Sequence, residues 1–223
     1  GRHARDRDWR LVLDPFADRA PAARYDGLIL HGNLGKNRGR PTVPTVLLTP
    51  NRQRRRLSQV TPDYYEMGRL AARHLIKRDY TQFAAFGRNY DFAAWMRLET
   101  FRTTVRRKAT HLDSMLFGRH GPHTARTWRR FSAVLDRWFA KARLPVGIFA
   151  TSDQLARHLA DACARAGLRI PDDVAIVGSG NDLDVCEALD PTLTSVDPDY
   201  EAVGARAAAT LDEGVRWCEA TLG

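Results

Sequence analysis

The sequence predicts an α/β fold of parallel sheets covered by helices. Two observations carry this expectation. Apolar runs of strand length alternate with segments of helical periodicity along almost the whole 223-residue chain. Three later strands also end in small or polar residues. Val146–Ala150 runs into Thr151-Ser152-Asp153, Val174–Val177 into Gly178-Ser179-Gly180-Asn181-Asp182, and Leu193–Val196 into Asp197-Pro198. In open parallel sheets, ligand crevices form outside the carboxyl ends of the strands. The pattern therefore points to a small-molecule site.

In chain order, Trp9–Leu13, Asp26–Leu30 and Pro44–Leu48 read as short strands, with a loop rich in Gly, Asn, Lys and Arg from Gly32 to Thr42. Thr61 is placed to cap a helix with Pro62 at its first position, and Met67, Leu70, Ala71 and Leu75 form its inner stripe. A strand at Thr81–Phe86 precedes an amphipathic helix at Phe92–Lys108. A strand at Leu112–Phe117 precedes a helix at Thr124–Ala142 that carries Trp128, Phe131, Leu135, Trp138 and Phe139. After the strand Val146–Ala150 comes a helix, Gln154–Ala166, closed by Gly167. The strand Val174–Val177, a short helix near Asp184–Ala188 and the strand Leu193–Val196 follow. Asp197-Pro198 opens a last helix, whose inner stripe is Val203, Ala207 and Leu211.

Composition narrows the function classes. No apolar run nears a membrane span, and the first residues lack the apolar core of a secretion signal, so a cytoplasmic protein is expected. Cys163, Cys186 and Cys218 are three in number and widely spaced. They give neither a disulfide framework nor a metal site and read as reduced packing thiols. The net charge is +9, and most of the cations are arginines. Such a balance suits nucleic acid or another polyanion, or else reflects arginines spread over solvated faces. The densest cluster is Arg52-Gln53-Arg54-Arg55-Arg56, in a loop with no interleaved aromatics. His120-Gly121-Pro122-His123 has no Cys or acid beside it and reads as loop histidines, so no metal is expected. Gly178-Ser179-Gly180 lacks the third glycine of a dinucleotide fingerprint, so no cofactor is expected either.

Several segments resemble the sensor domain of LacI/GalR-type transcriptional regulators, with the xylose-operon activator subgroup the nearest likeness. They are Tyr25-Asp26-Gly27-Leu28-Ile29, Val43-Pro44-Thr45-Val46, Gly68 to Leu75, the Arg97 and Phe101 pair, Phe149 to Asp153, Ala166 to Gly178, and Asp190 to Val196. The resemblance implies a two-lobed, periplasmic-binding-protein-like (type I) fold. One lobe holds residues 1–59 plus 193–223 and the other 60–192. In the family a central strand and a helix come first, and this chain opens where that helix would be under way. The first lobe is therefore expected to be incomplete.

The resemblance also implies the site. A small-molecule effector, a sugar or sugar acid, lies between the lobes. Arg97 is the leading contact, since its guanidinium offers a rigid fork of donors; a plainer reading pairs it with Asp91 or Glu99 on the surface. Ser152 faces the ligand and Asp153 caps the following helix, with a second role toward the ligand. Asn181 and Asp182 are further contacts, or else turn and cap residues. Trp95 and Phe92 could stack on a sugar face, or belong to the core. Gly180 stands near the place where the family usually carries an acidic ligand-gripping residue. The implied protein is a non-enzymatic homodimer with no membrane contact. It reaches DNA only through a DNA-binding domain not present in this chain. A solute-binding protein for sugar transport, an enzyme on a doubly wound sheet, and an interaction module that has lost its ligand are the rival readings.

Overall fold

The computed structural model describes residues 2–13, 25–31, 42–51, 56–89, 91–118 and 125–222. The expected loop at 32–41, the arginines at 52–55 and the histidine pair at 120–123 lie outside the described residues, as does the expected helix start at Thr124. The chain divides into two compact units: Gly1–Pro62 with Asp199–Gly223, and Asp63–Pro198.

The first unit contains a parallel sheet of β1 (Leu28–Leu30), β2 (Thr45–Leu47) and β3 (Ser58–Gln59), in that order. Leu28 pairs with Thr45, and Val46 with Ser58. The long helix α7 (Tyr200–Leu222) covers it, burying Ala207 and Leu211 against Val46. The short helix α1 (Arg2–Asp6) is tied to α7 through Asp212. That carboxylate accepts Arg7 Nη2 at 2.6 Å and also pairs with Arg216 at 2.7 Å. The Arg7 hydrogen bond is the main cause holding the Asp212 carboxyl below the usual carboxylate range.

Trp9–Leu13 departs from expectation and forms no strand. The Trp9 amide donates to Ala4 O at 2.8 Å and closes α1, while Leu13 stands 98 % exposed. Among the described residues the run pairs with neither β1 nor any other strand, so its apolar character alone does not make it one.

The second unit runs α2 (Tyr64–Ile76), β4 (Gln82–Arg88), α3 (Phe92–Val105), β5 (His111–Phe117), α4 (Ala125–Phe139), β6 (Val146–Ala150), α5 (Asp153–Ala166), β7 (Val174–Ser179), α6 (Leu183–Glu187) and β8 (Thr194–Val196). Its five strands are all parallel, in the order β5-β4-β6-β7-β8. Strand alternation splits the core in two. Phe83, Ala85, Phe149, Ala175 and Val177 face α2 and α3, meeting Met67, Leu75, Leu98 and Phe101. Ala84, Phe86, Ile148, Val174 and Ile176 face α4 and α5, meeting Leu135, Phe139, Leu159 and Cys163. Strands buried on both faces explain the continuous apolar runs Val146–Ala150 and Val174–Val177.

Two boundaries move for identifiable reasons. The α2 cap is Asp63 rather than Thr61, because its carboxylate accepts the Glu66 amide at 2.9 Å. β8, expected in the first lobe, pairs with β7, Gly178 opposite Ser195. The chain enters the first unit only at Asp199, whose side chain accepts the Ala202 amide at the start of α7.

Candidate functional site

The strand order places a switch point between β4 and β6. The helix after β4, α3, lies on one face of the sheet, and the helix after β6, α5, lies on the other. The carboxyl ends of β4 and β6 therefore open between diverging helices, which is where ligands bind in doubly wound sheets.

Arg97 projects from α3 to the carboxyl end of β7, the strand beyond β6. It is 8 % exposed, so it is not the surface arginine of the plainer reading. Its Nη1 donates to Ser179 Oγ at the end of β7 over a long 3.5 Å. Its Nη2 lies 3.8 Å from Asp91, the residue that also caps α3 by accepting the Ala93 amide. The guanidinium carbon sits 5.1 Å from the centre of the Tyr64 ring, within cation–π range. A guanidinium fixed by a ring, a hydroxyl and a carboxylate is preorganised to donate to a polar ligand.

The cap expected of Asp153 falls to Ser152 instead. Ser152 is the cap of α5, with Oγ accepting the Leu155 amide at 3.3 Å. Asp153 turns inward and is 2 % exposed. Its Oδ1 accepts the Ser195 hydroxyl at 2.6 Å, and its Oδ2 accepts the Asp182 amide at 2.9 Å. The cap falls to Ser152 because that residue is extended (φ −157, ψ 154), while Asp153 is already helical.

Asn181 and Asp182 lie on the turn that Asp153 braces. Asn181 has φ 52, donates its amide to Ser195 Oγ at 3.0 Å and its Nδ2 to Asp197 at 3.0 Å. Asp182 begins α6 and makes no side-chain cap bond, and both side chains are exposed. Gly180, at φ 138, stands with its ideal Cβ position 3.0 Å from Asp153 Oδ2. A side chain there would be strained and crowded against a carboxylate. The buried Cys186 thiol beside this turn is pushed up, first by burial and then by the Asp153 charge.

The structure thus gathers Arg97, Ser152, Asp153, Asn181 and Asp182 around one end of the sheet. Trp95 lies near the carboxyl end of β4, which supplies Arg88, with Asn89 just after it, to the groove that Trp95 lines, and Phe92 packs against Trp95. Their rings stack on each other, 5.5 Å apart and 7° from parallel. Trp95, 47 % exposed, lines a shallow groove with Leu98, Glu99, Arg102, Ser114 and Leu116. Residues 95 and 97 are about 200° apart around a helix, so a buried Arg97 turns Trp95 outward. Sequence reasoning missed Tyr64, Ser179 and Ser195. No local pattern marks them, because each acts through a partner at least 14 positions away. Among the described residues no group of three His, Cys, Asp or Glu is placed to hold a metal ion.

Residues 72–220 match the periplasmic binding protein-like domain. The chain belongs to that family. This periplasmic binding protein-like domain is 25 % identical over 177 residues to the HTH-type transcriptional repressor PurR of Vibrio parahaemolyticus, covering 78 % of this chain and 51 % of the repressor. The chain thus spans about half the length of the curated relatives it matches. The fold is shared with the periplasmic binding protein/LacI transcriptional regulator from Alkaliphilus metalliredigens complexed with D-xylulofuranose. The TM-score is 0.75 and the identity 20 %, with 96 % of this chain and 82 % of that one covered. It is shared equally with the xylose-binding transcription activator xylR, at TM-score 0.76 and 20 % identity, covering 96 % and 57 %. The expected likeness to sensor domains of LacI-type regulators and the expected α/β class both hold. No helix among the described residues is long and apolar enough to cross a membrane.

Proposed function

We propose that this domain senses a small-molecule effector for a bacterial transcriptional regulator, and that the effector is a sugar or sugar acid held at the Arg97 corner of the second unit. The buried Arg97 guanidinium carries this reading. It is fixed against Tyr64, Asp91 and Ser179 at the carboxyl end of β7 in a doubly wound sheet. The regulator role is supported by similarity to a protein named as a PurR repressor. The sugar class is supported by a shared fold with a regulator solved with D-xylulofuranose.

In this reading Arg97 donates to ligand oxygens, and Ser152 and the Asn181–Asp182 turn add polar contacts. The domain is non-enzymatic and cytoplasmic and works as a homodimer. Sequence-specific DNA contact belongs to a part of the protein beyond this domain. Ligand acts by favouring the arrangement of the two lobes that binds it better, and only its differential affinity can shift that balance. A swing from 1:99 to 99:1 takes about 5.5 kcal/mol. Two or three charge-assisted hydrogen bonds at about 1.5–3 kcal/mol each supply it.

A thermal-shift screen of pentoses, hexoses and sugar acids, followed by calorimetry on the hits, tests the proposal. A true effector at about 100 times its Kd stabilises the chain by about 2.7 kcal/mol. Arg97→Lys should weaken that effector at least about tenfold, because the planar fork is lost. Unchanged affinity in Arg97→Lys and Arg97→Ala would remove Arg97 from the site. A screen without hits would favour an interaction module that has lost its ligand.

A further inference from the structure

In an all-parallel sheet every turn that leads from a helix into a strand falls at the same end. In the second unit this is the end opposite Arg97. Hydrogen bonds knit the turns together there. The Thr110 amide donates to Thr81 O at 2.8 Å, Gln82 Nε2 to Leu144 O at 3.1 Å, and Tyr80 Oη to Pro171 O at 2.7 Å. The turns into β4, β5 and β6 carry Lys77, Arg78, Arg106, Arg107, Lys108, Lys141 and Arg143, all exposed. The single acid among them is Asp79. None of the seven cations is ion-paired among the described residues, whereas Arg165 and Arg169 in the neighbouring segment are paired with Asp136, Asp172 and Asp173. The turn before β8 carries Glu187 and Asp190 instead, so the positive surface is confined to three adjacent strands.

Cations at helix C-termini complement the carbonyl dipoles there. That accounts for a residue such as Arg106, the cap of α3, but not for three cations in succession or for Arg143, which lies beyond the end of α4. Adjacent strands lie about 4.8 Å apart, so the three turns share a face roughly 10 Å wide before side-chain reach is added. Seven positive charges on such a face suit a densely charged anionic partner. The patch has one exposed large apolar side chain, Leu144 at 38 %. Protein–protein interface cores are built on apolar and aromatic anchors, which this face lacks. It has no stacking platform either, since Tyr80 is half-buried and spends its hydroxyl on Pro171. That argues against a single strand of nucleic acid.

We propose that the strand-start face of the second unit contacts the phosphate backbone of duplex DNA without reading sequence. Duplex DNA offers one negative charge per ~1.7 Å of axis, a density suited to cations gathered on three neighbouring turns. The contact is independent of effector binding. It would add a positioning surface to any DNA-binding part of the same protein.

Fluorescence anisotropy of the full chain with a labelled duplex of arbitrary sequence, about 20 bp long, tests this at about 50 and 200 mM salt. Three or four phosphate contacts predict that affinity falls about 40- to 150-fold across that range. Two variants of equal net charge separate the patch from bulk charge. The triple Arg106→Glu/Arg107→Glu/Arg143→Glu should lose at least tenfold in affinity at low salt. The triple Arg129→Glu/Arg130→Glu/Arg137→Glu, on the exposed side of α4, should lose at most about twofold. Equal losses in the two triples would overturn the proposal, as would absence of duplex binding at low salt. Stronger binding to phosphatidylserine vesicles than to the duplex would also overturn it, in favour of a membrane surface. Thermal melts of both triples show that each is folded, and an effector response retained in the first triple keeps this result separate from that of the sensing site.

Discussion

The Asp153 carboxylate accepts the Ser195 hydroxyl at 2.6 Å across 42 residues of sequence, and so joins the start of α5 to the strand β8. Its second oxygen accepts the Asp182 amide at 2.9 Å. One buried side chain thereby sets the turn that carries Asn181, and a neighbouring one, Ser152, is left to cap the helix.

That division of labour predicts unequal costs. Asp153→Ala strands the Ser195 hydroxyl and the Asp182 amide, and should lower stability by about 3 kcal/mol. Ser152→Ala removes one cap bond and should cost about 1 kcal/mol. Urea unfolding of the two variants beside wild type measures both. Equal costs would show that Asp153 is an ordinary first-turn residue.

Gly178 lies under the same carboxylate. A Cβ built there stands 2.2 Å from Asp153 Oδ1 and 3.1 Å from the Leu193 side chain. Asp153 cannot swing away without losing its partners, so the clash must move backbone. Gly178→Ala should therefore destabilise by about 1–3 kcal/mol, although its backbone conformation is one that any residue can adopt. Gly167→Ala, where φ is 68 but no atom lies within 4 Å of the added Cβ, isolates the purely conformational penalty of about 1 kcal/mol. Thermal melts in which Gly178→Ala matches wild type would contradict the packing described for Asp153.

These two residues also show where the sequence is legible. The strands Val146–Ala150 and Val174–Val177 are readable because they are buried on both faces and contain no competing pattern. The helix α5 is readable from its stripe and from the Gly167 cap at φ 68. The spacing of Arg97 to Phe101 singles Arg97 out in the sequence, but its burial is not readable there. That burial depends on Tyr64 and Ser179, 33 and 82 positions away. Adjacent polar residues such as Ser152 and Asp153 differ in role only through the backbone angle at each, which composition does not encode. Trp95 was ambiguous for a related reason. Helical spacing fixes its angle relative to Arg97 but not which side of α3 meets the core. Trp9–Leu13 is apolar enough for a strand, but local composition does not say whether a run will pair, and this one does not among the described residues.

Cys163 offers a test of core integrity. It is buried against Leu159 and Val174, and burial pushes its thiol up to about 12 from an ordinary value of 9.0. The folded protein should leave this thiol unreacted with a disulfide reagent at about pH 8, where an exposed cysteine is already partly thiolate. Above about pH 9 the unfolded chain releases a proton that the folded one keeps. Stability should therefore fall as pH rises through the window between about 9 and 12. Mass spectrometry of labelled tryptic fragments reads the first effect. Rapid labelling of Cys163 in the native protein would mean that the α5 face of the core opens readily.

The opposite end of the pH scale is set in part by His158. Its ring sits edge-on to Trp128 at 4.7 Å and to Phe131 at 5.5 Å, between α4 and α5. Burial is the main cause lowering its pKa; Arg157 and Arg88 add to it and Asp161 opposes. His74 is lowered as well, by burial and then by Arg78. For both groups the folded protein disfavours the charged imidazole. Below the ordinary value of 6.5 the unfolded chain takes up protons that the folded chain resists. Their contribution to stability is thus complete above that value and is lost as pH falls through and below it. Carboxylates such as Asp212, held below the usual range by Arg7, give way only in stronger acid. His158→Phe keeps an aromatic ring in the slot and removes the titrating group. Its loss of stability between about pH 7.5 and pH 5.5 should be smaller than that of wild type, with His74 accounting for part of the remainder. Chemical denaturation at the two pH values gives the comparison, and identical losses in the two proteins would show that His158 takes up its proton as freely when folded as when unfolded.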